Sequence, residues 1–287
     1  MTTSNPNPIK RRESKLSVLF RNKLVMISVG YLVLMAAGAL SAGFIAPQSP
    51  NDMNLDDRFI APCMAHPFGT DQLGRDVLSR MIYGTRTTMG ASFAVVFLSA
   101  LIGTSIGLIS GYFRRADEVL MRVTDLFMAF PPLIGGLALM TFLGPSVTNV
   151  VLALCIVFTP RVARIARGET LVIREQTYIR AAKSMRTGTG TILFKHILPN
   201  ALSPLIVYFT LLFSAAIITE AGLSFLGIGA PPEVPSWGII LSDGRRFMRD
   251  AWWLTVIPGF AIFLSVLACN LLGDGIRDVG DPRQYGK

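Results

Sequence analysis

Six stretches of the chain are nearly free of charge and approach the length needed to cross a bilayer. They run from Leu24 to Ala46, Thr88 to Tyr112, Val123 to Gly144, Ser146 to Val162, Leu198 to Leu226 and Trp253 to Leu272. A spanning helix needs about 20 apolar residues. The pattern predicts an all-α polytopic membrane protein with six transmembrane helices. It divides into a tail at 1–23, a transmembrane domain at 24–272 with a polar loop at 163–197, and a tail at 273–287. Ala37-Gly38-Ala39 has the small residues of a cleavage site. The first run nevertheless exceeds a signal-peptide core and more spans follow, so it reads as a retained span.

Composition agrees with the pattern. Apolar residues make up 51% of the 287 positions and charged residues 16%, against about 25% charged in soluble domains. That excludes an ordinary cytosolic enzyme, and it excludes disorder. The net charge of +9 is explained by where the 27 Lys and Arg fall. Twenty lie in the N-terminal tail, the 113–122 loop, the 161–195 loop and the C-terminal tail, and seven lie on the other side. By the positive-inside rule both termini are cytoplasmic. The charge thus needs no nucleic-acid partner.

Several positions stand out within the spans. Gly103, Gly107 and Gly111 form a small-xxx-small stripe suited to close helix packing in lipid. Pro131-Pro132 must break the third span, near whose start Asp125 sits, and the break is either a static kink or part of a pathway. Glu220 sits toward the outer end of span five. A charge there needs a partner or water, so it is either a gate lining the path or a structural strut. On the outer side, Leu73, Val77, Leu78 and Met81 have helical spacing. This predicts a short amphipathic helix over 71–81, capped by Thr70 or Asp71.

Other chemistry is missing. The sequence has no Walker A phosphate loop and no G-x-G-x-x-G, and a single sequence shows no nucleophile–base pair. The three scattered cysteines form no C-x-x-C. Cys63, Met64 and His66 are soft ligands but make a poor metal site, so no metal is assigned. The chain reads as no enzyme by itself.

The 163–197 loop is basic and periodic. Its centre is Tyr178-Ile179-Arg180-Ala181-Ala182-Lys183-Ser184-Met185-Arg186. Ile179, Ala182 and Met185 are spaced to share a face, and Ala181 and Ala182 are small enough for close approach. The expectation is a helix–turn–helix knob that docks in a groove of another protein. Ala181-Ala182 and Ile197-Leu198-Pro199-Asn200 resemble the EAA loop of ABC importer permeases. Three more stretches resemble the dipeptide, oligopeptide and nickel permeases. They are His66 to Arg80, Leu223 to Pro232 followed by Ser236-Trp237-Gly238, and Asn270 to Asp278 ending in Asp281-Pro282-Arg283. The set is similar to the second, C-type permease of a pair.

The resemblance implies a type I ABC importer permease fold in a bacterial cytoplasmic (inner) membrane. It implies a homologous B-type permease as heterodimer partner, two ABC ATPase subunits, and an extracytoplasmic substrate-binding protein. ATP and Mg would be bound by the ATPases, with no cofactor in this chain. Tyr178, Ile179, Arg180, Ala181, Ala182, Lys183, Met185 and Arg186 would form the coupling loop to an ATPase. Short peptides are the expected cargo, with nickel complexes, glutathione, opines and sugars as alternatives. Arg180 replaces the Glu of the motif. Arg186 replaces a Gly that makes the turn, so the turn is expected to move to Gly188 or Gly190. A stand-alone channel or proton-coupled transporter would show repeats or paired intramembrane charges. A membrane scaffold would need neither the loop nor the broken span.

Overall fold

The computed structural model describes residues 22–280. The N-terminal basic stretch and the Asp281-Pro282-Arg283 motif lie outside the described residues. The described chain is helical: α1 Lys23–Leu40, α2 Ala42–Ile45, α3 Val77–Tyr112, α4 Arg114–Met128, α5 Pro132–Leu143, α6 Val147–Arg174, α7 Thr177–Ser184, α8 Leu198–Phe225, α9 Trp237–Gly244 and α10 Trp253–Gly280. Five segments are long and apolar enough to cross a membrane, and α4 with α5 makes a sixth if that bent pair counts as one span.

Three of the expected spans change shape. The first breaks at Ser41. The second is only part of α3, a continuous helix of 36 residues that reaches about 54 Å at 1.5 Å per residue. The third is not straight. α4 and α5 meet at 89°, because Pro131 is extended and Pro132 starts α5. An imide with no N–H cannot continue the preceding helix but fits the first turn of the next.

α6 also outruns its expected end at Val162, reaching Arg174. Its apolar run stops early, but its small residues continue the contact with α3. A methyl on Gly103 would lie 2.6 Å from Val162 Cβ and 2.8 Å from Thr159 O. One on Gly107 would lie 2.6 Å from Ala163 O, and one on Gly111 2.5 Å from Thr170 Cβ. The glycine stripe is therefore a backbone-to-backbone seam. The polar side of α4 closes on the same helix. Arg167 holds Asp117 through two bonds of 2.5 and 2.6 Å, and Arg164 pairs with Asp125. The 163–197 loop thus begins only after Arg174.

The outer segment 66–80 forms a clasp rather than an interfacial helix. Asp71 makes a tight turn. Its backbone N–H donates to Arg75 O, and its Oδ1 accepts from the N–H groups of Leu73 and Arg75 at 2.8 and 3.0 Å. Gly69 and Gly74 take positive φ in this turn. The helix starts only at Val77, and its cap is Asp76, which accepts from Ser79 N–H at 2.8 Å. Thr70 instead uses its hydroxyl to accept from Ile60 N–H and its carbonyl to accept from Trp253 Nε1.

Arg80 is only 1% exposed. It reaches Asp71 at 2.5 Å and Asp243 at 3.3 Å, while Arg75 reaches the same two carboxylates at 2.7 and 3.4 Å. Two guanidiniums and two carboxylates balance locally. Val77 and Met81 pack below them against Trp237, Ile240, Trp253 and Leu254. The motifs at 66–80 and 236–238, far apart in sequence, are one structure.

Two outcomes test this architecture. Gly107→Val forces a branched side chain into the seam and is expected to cost at least about 1–3 kcal/mol, the price of overpacking. Gly30→Ala, with nothing within 4 Å, should stay within about 0.5 kcal/mol. Thermal unfolding in detergent compares them, and equal melting temperatures would contradict the seam. Asp71→Ala leaves two buried guanidiniums sharing Asp243. It should cost about 3–5 kcal/mol in the same assay, and an unchanged midpoint would remove the clasp as a structural element.

Candidate functional site

The end of α6, α7 and the start of α8 build a knob. Ile179 and Ala182 of α7 are buried, and Ile179 belongs to a cluster with Ile173, Ile192, Leu193, Ile197, Ala201 and Leu205. This cluster seats the knob on its own flanking helices. The loop then returns through a short turn at Thr189–Thr191 and a wide π turn at Ile192–Ile197 into α8. Wide turns of this kind place one extra residue in the helix. Pro199 sits in the first turn of α8, where its missing N–H is not required.

Three polar contacts fix the knob to its surroundings. Asn200 Nδ2 donates to the Tyr178 hydroxyl at 3.3 Å. Arg174 donates to Gly111 O at 2.7 Å, satisfying a carbonyl at the free end of α3. Lys183 Nζ stands 5.0 Å from the Tyr112 ring centroid, a cation–π contact. The knob is therefore fastened to α3 as well as to α6 and α8.

The expected face of Ile179, Ala182 and Met185 is corrected. Ile179 and Ala182 point inward, while Met185 is 75% exposed. The outward surface includes Tyr178, Arg180, Ala181, Lys183, Met185 and Arg186. Ala182 is small because its own chain crowds it, and Ala181 is the small residue that faces away.

The turn is also not where it was expected. Gly188 has φ −59° and does not make it, and Gly190 is not among the residues with positive φ. Arg186 does, with φ 58°. Arg186 N–H donates to Lys183 O and Thr187 N–H to Ala182 O, both across the end of α7. These two bonds are the Schellman pattern, which requires a left-handed residue at this position. Burial of Ile179 and Ala182 fixes where α7 ends, so the requirement cannot slide two residues to a glycine. A non-glycine residue there costs roughly 1–2 kcal/mol. A cation at a helix C-terminus returns only about 0.3–1 kcal/mol. Arg186 therefore sits in the turn at a net local cost.

The remaining candidates are dispersed. Glu220 is 2% exposed, inside α8. Its Oε1 accepts from Ser224 Oγ at 2.9 Å, and the hydroxyls of Thr88 and Ser236 adjoin the carboxyl. Ser236 caps α9, so Glu220 lies where α3, α8 and α9 meet, and its buried Oε2 has no hydrogen-bond partner among the described residues, so the gate and strut readings both stand. Pro131, at the α4–α5 break, is exposed at the bundle surface, and Pro132 is half-buried. His66 Nδ1 is engaged by Asp76 at 3.0 Å, while Cys63 and Met64 are exposed. Among the described residues no group of three or more His, Cys, Asp or Glu is placed to hold a metal. The outer clasp was the functional-looking cluster that the sequence reading missed. Its residues carried the resemblance, but the partnership of Arg75 and Arg80 with Asp243 spans more than 160 positions and leaves no local signal.

Comparison with known proteins agrees with this geometry. Residues 103–284 match the family described as binding-protein-dependent transport system inner membrane component. Residues 16–62 match the N-terminal transmembrane domain of oligopeptide transport permease C. A peptide transport system permease protein of Brucella abortus is 43% identical over 265 residues, covering 92% of this chain and 90% of that one. A glutathione transport system permease protein of Pectobacterium atrosepticum is 41% identical, covering 92% and 89%. A dipeptide transport system permease protein of Alkalihalophilus pseudofirmus is 40% identical, covering 92% and 88%. An inward-facing chain of the MetNI methionine ABC transporter has the same fold, with TM-score 0.60 and 20% identity over 71% of this chain and 97% of that one. The chain belongs to the binding-protein-dependent transport system inner membrane component family, and is a polytopic permease subunit of an ABC importer rather than an enzyme.

Proposed function

We propose that this chain is the C-type permease of a heterodimeric importer for short peptides. A homologous B-type permease would supply the other half of the path, two ATPase subunits would bind ATP and Mg, and an extracytoplasmic protein would deliver the cargo. The carrying observation is that relatives similar over nine-tenths of the chain are named for peptide, dipeptide and glutathione transport. Those cargoes share an amide backbone with free charged ends. The match of residues 16–62 to the permease C domain supports the C-type assignment.

The coupling contact is the outward surface of Tyr178 to Arg186. ATP-driven closure of the ATPases would push on this knob. Because α6 and α8 enter and leave it, and α3 is tied to it through Arg174 and Lys183, a displacement tilts three helices together. The path runs along the side where α4 and α5 break, at Pro131 and Pro132. Glu220 at the α3–α8–α9 junction would carry the tilt to the outer clasp. The N and C termini are assigned to the cytoplasm from the charge distribution, and the membrane to the bacterial inner membrane.

Copurification of the tagged chain with its genomic neighbours, followed by ATPase measurement in lipid, tests the reading. Two permeases with two ATPases, and hydrolysis stimulated by peptide-loaded binding protein, are expected. Ala181→Glu should weaken ATPase retention by about tenfold or more, since it puts a bulky charge into a close contact. Ala182→Glu is a poorer probe because it disrupts the knob itself. A chain that purifies alone and conducts ions would overturn the assignment.

A further inference from the structure

Arg186 occupies a left-handed turn position where glycine would be easier, and nothing inside the chain repays it. No hydrogen bond or ion pair to its guanidinium is formed among the described residues. Neighbouring Arg180 pairs with Glu175, and Lys183 stands over Tyr112. Arg186 is exposed beside Met185, itself 75% exposed. The sequence around it supplies no counter-charge either. From Gln176 to Thr219 there is no Asp or Glu.

We infer that Arg186 is a specific ion-pair contact to a carboxylate on the ATPase subunit, and that arginine rather than glycine is kept at this left-handed position for its charge. The inference rests on the coupling-loop reading above. Strain at a non-glycine turn persists where function holds the residue in place. An anionic lipid headgroup would attract the same charge, but the geometry favours protein. Arg186 shares its exposed surface with Ala181 and the 75%-exposed Met185, a relief suited to a protein groove rather than to a headgroup layer.

The variants separate structure from contact. Arg186→Gly and Arg186→Asn both suit the left-handed turn and remove the charge, whereas Arg186→Lys keeps the charge. The full permease pair would be placed in nanodiscs of neutral lipid, and its affinity for the ATPase subunits measured at low and high salt. The Gly and Asn variants should bind about three- to fivefold more weakly at low salt, the size of an exposed ion pair. They should also lose part of the salt dependence, and Lys should stay close to the parent. If Gly and Asn bind as well as the parent or better, Arg186 is only a tolerated turn residue and the inference falls. If the loss occurs only in discs containing phosphatidylglycerol, the partner is lipid and the inference also falls. The coupling-loop reading fails separately, by retention of the ATPases in Ala181→Glu.

Discussion

Two apolar helices in lipid gain nothing by hiding apolar surface from each other, so their association must come from close packing. The α3–α6 seam meets that condition. At Gly103, Gly107 and Gly111 the absence of a Cβ lets the backbone of α3 lie against Thr159, Ala163 and Arg167 of α6. The remaining contacts depend on this one. It carries α6 beyond its apolar stretch, sets Arg164 and Arg167 opposite the acids of α4, and brings the end of α3 to the base of the knob.

The seam also explains how one long helix serves both sides of the membrane. α3 begins in the outer clasp, where Asp76 caps it and Arg80 is locked between Asp71 and Asp243. It ends at Gly111 and Tyr112, against Arg174 and Lys183 of the knob. A single helix is stiff along its axis, so the two ends cannot move independently. The buried ion cluster adds little net stability as such, because desolvation offsets attraction. Its effect is to make the outer loops rigid with respect to α3 and α9.

The knob shows how a small element is made firm outside the membrane. An eight-residue helix is too short to persist alone. Here Ile179 and Ala182 bury one face on the flanking helices, and the two bonds across Arg186 close the C-terminal end. What faces outward is cationic, with Arg180, Lys183 and Arg186 exposed around the small Ala181.

The sequence by itself determined the class, the apolar segments, the close-packing stripe and the short helix of the knob. Those properties reside in composition, in spacing along one helix, and in short contiguous motifs. It misjudged where α3 begins and where α6 ends, because charges within a helix look like its termini until a partner is seen to neutralise them. It misjudged the turn at Arg186, because local propensity favours glycine while the register of Ile179 and Ala182 in the core decides which residue must turn. It read 71–81 as a separate helix, because Asp243, Trp237 and Trp253 lie far away in the chain. Only the tertiary structure decided those points. Each depends on which distant group arrives to satisfy a buried charge or hydrogen bond, and no periodicity along the chain encodes that arrival.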